Sequence, residues 1–311
     1  DCGHEYDVVI GTSTGSLLAP LIAIDSFAQL KEGYTNVRQK DIFNVNPFNK
    51  KGKIKSLLAF WRIITFRRTL GESKKLRKTI KHFFPEEMYA PFMGPHTDLE
   101  FIVSVTNLKE DRLEFRSSKD HDYEQMVNWM WTSANQPVFM SLYSERDSTG
   151  EKQFYVDGGV KENIPLEKGL QIARERGIKE VDVIVHSPIV PRLDELEKLG
   201  ILKLLTRTID LFSTEVRVND LKILDLQSKL NQCSLADAKG ITVTVYFMPL
   251  ESFELIPNSL LFDREKMQTL WQAGYDFLKG ANDYSYKYFV PDVIQLEEET
   301  SYDKPGKRNE E

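Results

Sequence analysis

Two short stretches of this chain could do acyl chemistry together. The first, Gly11-Thr12-Ser13-Thr14-Gly15, follows the apolar run Val8, Val9 and Ile10 and precedes a helix-like run beginning near Leu17. A serine on a sharp strand-to-helix turn carries strained backbone angles, and its neighbours two residues away must be small to clear the strand and helix packed beside them. Gly11 and Gly15 answer that need. The turn presents the Ser13 hydroxyl at the amino end of a helix, where unpaired N–H groups and the helix dipole favour a developing oxyanion. The alternative is a glycine-rich turn with a solvated serine. A phosphate loop fits worse, because no Lys-Ser or Lys-Thr pair follows at the needed spacing and G-x-G-x-x-G is absent.

A serine hydroxyl attacks only when a base takes its proton. Asp157 is one candidate: a short strand over 153–156 runs into Asp157-Gly158-Gly159, where paired glycines let the backbone turn tightly and approach another segment. Its carboxylate is expected at the carboxyl edge of the sheet, beside Ser13. His186 is the other, at the end of the Val181–Val185 run, and it completes the order Ser, Asp, His. It abuts Ser187-Pro188, so a polar strand cap is the competing reading. His4, His82, His96 and His121 all precede Asp157.

These residues need a core to hold them. The chain has 311 residues, 41% of them hydrophobic, enough for one large core or two modest ones, and the order of the motifs favours one. A net charge of -6 argues against nucleic acid as the main partner. Cys2 and Cys233 are far apart and outside any metal-ligand spacing. No run approaches the roughly 18 apolar residues of a membrane span, so a soluble or peripheral protein is expected. The sequence has no initiating Met and enters a core strand at once, which reads as a fragment or processed product. Residues 297–311 are charged and nearly free of apolar side chains, a composition expected to be disordered.

The periodicity predicts a buried, nearly all-apolar helix from Leu17 to Leu30, bent at Pro20, and a second helix over 73–84 ended by Pro85. Strands over 99–107 and 112–117 should form a hairpin or neighbouring pair. A helix over 126–134, another from Pro165 to Arg176 closed by Gly177, a strand over 181–185, helix through 193–232, a strand over 241–248 and a helix over 263–279 follow. Strands alternating with helices predict an α/β fold with a mostly parallel central sheet sandwiched between helices.

One segment stands apart. Residues 50–68 join Lys50, Lys51, Lys53, Lys55, Arg62, Arg67 and Arg68 to Leu57, Leu58, Phe60, Trp61, Ile63, Ile64 and Phe66, with no acidic residue among them. One reading is a face that meets anionic lipid, with Lys53, Lys55, Phe60, Trp61, Arg62, Arg67 and Arg68 as interface candidates. The other is a helix whose apolar side packs on the domain while its cations are simply solvated.

Together these residues resemble the patatin-like phospholipases. The nucleophile turn resembles Gly11-Thr12-Ser13-Thr14-Gly15 and the base motif resembles Asp157-Gly158-Gly159; Thr132-Ser133-Ala134 before Pro137 and Asn163-Ile164-Pro165 are similar to the family's flanks. The resemblance spans roughly residues 6–170, more weakly to about 290, and implies a three-layer, α/β-hydrolase-related domain over 1–296. It implies a serine lipid acyl hydrolase with Ser13 as nucleophile and Asp157 as base. Gly11, Thr12, Thr14 and Gly15 would support the elbow and oxyanion, and Gly158 and Gly159 the base loop. The substrate would be a phospholipid or related acyl ester, with no metal or organic cofactor. The family's glycine-rich oxyanion loop has no counterpart ahead of Gly11, where the sole glycine is Gly3. Losing oxyanion donors costs about 3 kcal/mol, so the chain as given is expected to be weakly active or inactive. The alternatives are a Ser-Asp-His esterase for soluble esters and a non-catalytic membrane-binding protein with the same fold.

Overall fold

The apolar run before the serine turn forms strand β1 (Val8–Gly11), and the serine turn opens helix α1 (Thr14–Ala23). In the computed structural model the described residues are 5–49, 52–94, 97–185, 201–231, 240–247, 260, 262–279 and 285–291. His186, both cysteines and the 297–311 tail lie outside them. After α1 come α2 (Phe27–Asn36), α3 (Gln39–Ile42), α4 (Ser56–Ile64) and α5 (Lys74–Phe83). The middle of the chain holds β2 (Glu100–Asn107), β3 (Arg112–Ser117), α6 (Tyr123–Ser133), β4 (Tyr143–Arg146) and β5 (Lys152–Asp157). It continues with α7 (Leu166–Arg176), β6 (Glu180–Val185), α8 (Ile201–Asn231), β7 (Gly240–Phe247), α9 (Arg264–Lys279) and β8 (Ser285–Pro291).

Local chemistry explains several boundaries. Asp122 caps α6 by accepting from the Gln125 N–H while its own N–H donates to Gln125 Oε1, a reciprocal capping box. Gly177 ends α7 at φ 68°, the left-handed geometry that glycine adopts without strain. The single helix predicted from Leu17 to Leu30 is instead two. Asp25 turns left-handed at φ 53° and α2 starts afresh behind it, because a short polar side chain tolerates that turn better than its apolar neighbours.

The sheet is mixed, which corrects the mostly parallel expectation. Five strands form one sheet, with β1 parallel to β2 but β2 antiparallel to both β3 and β5, and β4 antiparallel to β5. The second sheet runs β6-β7-β8, parallel then antiparallel. Both faces of β2 are covered, and all eight of its residues are buried. Its sequence, EFIVSVTN, interleaves apolar and polar side chains, a pattern that marks a strand without saying which way its neighbours run, so the sequence could not separate the two. β4 and β8 were not foreseen: YSER is short and polar, and SYKYFVP lies near the chain's end.

Two cores result. One packs β2 through Phe101, Val103 and Val105 against α1, α5 and α6, with Phe84, Tyr89, Phe92 and Tyr123 in edge-on and tilted ring contacts. The other packs β6 and β7 against α7 and α8 through Leu170, Leu224, Ile241, Val243 and Val245. Between the sheets, the Tyr6 hydroxyl donates to Asp182 Oδ2 at 2.9 Å.

Candidate active site

Strand β2 brings the two motifs together by an unforeseen route. β3 pairs with residues 102–107 on one of its edges. β1, paired at 100–103, and β5, paired at 105–107, must therefore share the other edge. They run in opposite directions and meet head-on: β1 ends with Gly11 opposite Val103, and β5 ends with Asp157 opposite Val105. Asp157 is thus delivered by an antiparallel strand that stops short, not by the carboxyl end of a parallel one. Ser104 lies in the gap between them.

Ser13 occupies the turn that follows β1 at φ 56°, ψ −124°, a conformation that strains any residue with a side chain. Its N–H donates to Ser133 Oγ at 3.1 Å, and its carbonyl accepts from Ser16 Oγ at 2.6 Å. Its own hydroxyl donates to Asp157 Oδ2 at 2.6 Å, although the two residues lie 144 positions apart. Thr14, the first residue of α1, carries one of the amino-terminal N–H groups that no carbonyl within a helix can reach.

The glycines divide into required and free. A Cβ on Gly11 would sit 2.3 Å from the Gly15 carbonyl oxygen, so that position tolerates hydrogen alone. A Cβ on Gly15 would meet nothing within 4 Å, which corrects the reading that both glycines are sterically forced. Only the backbone of Gly15 is crowded. On the base side, a Cβ on Gly158 would fall 2.1 Å from Ser104 Oγ and one on Gly159 2.8 Å from Asn163 Oδ1.

Asp157 is 6 % exposed. Burial pushes its carboxyl up to about 6, and bonds from the Ser13 hydroxyl and the Gly159 N–H offset this only in part. The Asp157 N–H is itself anchored by the Asn135 carbonyl at 3.2 Å. Three residues that single-motif reading did not assign therefore support the pair: Ser104, which shares a 2.8 Å hydrogen bond with Thr12 Oγ1; Ser133; and Asn135. Ser133 stands in the small-residue helix end noted from sequence, but Ser104 sits inside an apolar strand with no local signal.

Ser13 and Asp157 open into a cavity of about 1800 Å³ whose walls include Leu17, Leu18, Phe83, Met130, Met140 and Phe212. A separate cleft of about 330 Å³ between α2, α3 and α5 includes neither residue. Of the described histidines, His121 bonds the Ser117 carbonyl and His82 stacks edge-on against Phe83; neither lines the large cavity. No group of three or more His, Cys, Asp or Glu side chains positioned to hold a metal occurs among the described residues.

The membrane-interface candidates are split by the fold. Lys53, Lys55, Phe60, Trp61, Arg67 and Arg68 are exposed. Lys55 Nζ donates to the Asn46 carbonyl, and the Arg68 guanidinium sits 5.0 Å from the Phe154 ring centre. Arg62 is buried, which removes it from that set: its Nε donates to the Thr69 carbonyl at 2.6 Å and it pairs with Glu72 at 3.2 Å.

With the elbow, the base strand and their junction in place, the family follows. A family model described as patatin-like phospholipase matches residues 1–169, which hold both motifs. The chain belongs to the patatin-like phospholipase family. No curated protein matches it. Patatin-like phospholipases are lipid acyl hydrolases, so hydrolysis and a lipid substrate are the family-level assignment. Within this chain the matched region ends inside α7, and the β6-β7-β8 sheet lies beyond it.

Proposed function

We propose that this patatin-like chain is a serine carboxylic ester hydrolase acting on fatty acyl esters of phospholipids or related lipids through a Ser13–Asp157 dyad. The observation that carries it is the direct 2.6 Å hydrogen bond from Ser13 to a buried Asp157 carboxylate. Asp157 takes the Ser13 proton as Oγ attacks the ester carbonyl. The tetrahedral oxyanion is held at the amino end of α1, where the Thr14 N–H is a donor. The intermediate collapses as Asp157 returns the proton to the leaving alcohol, and water then attacks the acyl-Ser13 ester by the reverse exchange.

Burial is what makes a carboxylate serviceable here. An aspartate near its ordinary value is a poor base for a serine, whereas one raised to about 6 lies closer to neutral working pH. The direct Ser–Asp contact leaves no imidazole between the two groups, which favours a dyad over a Ser-Asp-His arrangement. The apolar cavity supports an acyl chain as the recognised portion, since it exceeds the roughly 1,000 Å³ upper range of small-ligand pockets. A fluorophosphonate probe should label the wild-type chain on Ser13 and leave Ser13→Ala unlabelled, with loss of nitrophenyl acyl ester cleavage. Equal labelling of both proteins would remove the proposal.

A further inference from the structure

Helix α4 is built inside out. The side it turns to the protein carries Ala59, 2 % exposed, and the charged Arg62, 4 % exposed. Leu57, Phe60, Trp61 and Ile64 recur at the three- and four-residue spacing of one helical face, and that face is open: Leu57 is 87 % exposed, Phe60 63 %, Trp61 49 % and Ile64 53 %. Ile63 lies beside them at 59 %, and Phe66 follows the helix at 94 %. A helix facing water does the reverse, because apolar burial and ion hydration both oppose this arrangement. Phe66 also holds φ 53°, a left-handed conformation costly for a bulky side chain, and gains no burial from it.

The charges around the ridge identify what would cover it. Residues 42–71 contain no Asp or Glu, although the whole chain carries a net charge of -6. Lys53 and Lys55 precede the helix, Arg67 and Arg68 follow it, and all four are exposed. Glu72, an acidic group that touches this element, is engaged by Arg62 and the Asn44 side chain. A second copy docked face to face would bring the same four cations together. A bilayer with anionic headgroups instead offers acyl chains to the ridge and phosphates to its rim.

We propose that α4 and Phe66 form a lipid-docking ridge, lying in the plane of an anionic membrane surface with Leu57, Phe60, Trp61, Ile64 and Phe66 at the headgroup–acyl boundary. The ridge is independent of the chemistry at Ser13. The test is sedimentation with phosphatidylcholine vesicles, with and without phosphatidylserine, at low and high salt. Wild type and Ser13→Ala should both bind the anionic vesicles and release as salt rises. L57S/F60S/F66S should lose at least about tenfold in partitioning while keeping the wild-type thermal midpoint, since it removes exposed side chains. K53Q/K55Q should lose about fivefold per cation on anionic vesicles and nothing on neutral ones. Brominated acyl chains should quench wild-type fluorescence, and W61F should lose that quenching, a readout independent of the triple variant's folding. Wild type that stays in the supernatant with anionic vesicles, or partitioning unchanged in L57S/F60S/F66S, overturns the ridge as a lipid contact. So does a dimer in sedimentation velocity that the same triple variant disperses, which would assign the surface to a second copy.

Discussion

At the scale of single residues, the site turns on how closely backbones approach. Gly11, Gly158 and Gly159 are site positions where a methyl group would collide with main chain or a held side chain, whereas Gly15 faces open space. Gly11→Ala should therefore cost several kcal/mol or prevent folding, while Gly15→Ala should stay within about 0.5 kcal/mol of wild type in urea unfolding. Equal losses in the two would contradict the geometry. Asp157 supplies a second test. Its carboxyl is raised from 3.8 to about 6 by burial, and only the ionised form accepts the Ser13 proton. Under the proposed dyad, kcat/KM for an acyl ester should climb as pH rises through about 6 and level off above it. Asp157→Asn should lower the plateau by about 100- to 10,000-fold. A flat profile between pH 5 and 8 would sink the dyad.

At the scale of elements, two strands converging head-on along β2 place the serine and the carboxylate, and α8 secures the loop behind the carboxylate. Asp220 on α8 accepts the N–H groups of Asn163 and Ile164, each at 3.0 Å, and the Asn163 side chain donates to the Ser213 carbonyl at 2.9 Å. This fastens the turn that follows Asp157-Gly158-Gly159. Asp220→Ala leaves two partly buried N–H groups without their acceptor. The expected cost is about 2 kcal/mol, read as a lower urea midpoint, with a larger fall in ester cleavage than stability alone would produce. The strand hairpin β2-β3, the body of α6 and the glycine-ended α7 were legible from sequence, because turn residues and periodicity act within a few residues of where they appear, whereas the Asp122 cap starts α6 ahead of the expected Met126. The head-on meeting was not, since strand direction depends on which edge of β2 each segment finds. The single apolar helix expected over 17–30 failed at Asp25 for a related reason: apolar content describes burial, not continuity.

Across the whole molecule, three carboxyls among the described residues, Asp157, Glu162 and Asp220, are raised chiefly by burial, and each ties stability to pH in the same direction. Burial, then the nearby charges of Asp220 and Glu167, push Glu162 from 4.5 up to about 7, and burial raises Asp157 to about 6. A carboxyl whose folded value lies above its unfolded one favours the fold when protonated. Its contribution is therefore complete below about pH 4 and is lost as pH rises through about 6 for Asp157 and about 7 for Glu162. Glu162→Gln, which cannot ionise, should leave the thermal midpoint near wild type at pH 4.5 and exceed it by a few degrees at pH 8. A difference that shrinks with rising pH would reverse the sign and reject this account.

What the sequence determined by itself was the local chemistry: a serine on a strand-to-helix turn, a carboxylate ahead of paired glycines, a family, and an acid-free stretch of cations and large apolar side chains. Each is written in contiguous residues, so short-range sterics and charge suffice to read it. Only the tertiary structure decided that Arg62 turns inward while Phe60, Trp61 and Phe66 turn out, that the sheet is mixed, and that Ser104 and Asn135 stand behind the serine and the aspartate. Those outcomes depend on contacts between segments far apart in the chain. The periodicity of a helix marks an apolar face without saying what that face meets, and a buried strand reads the same in either direction.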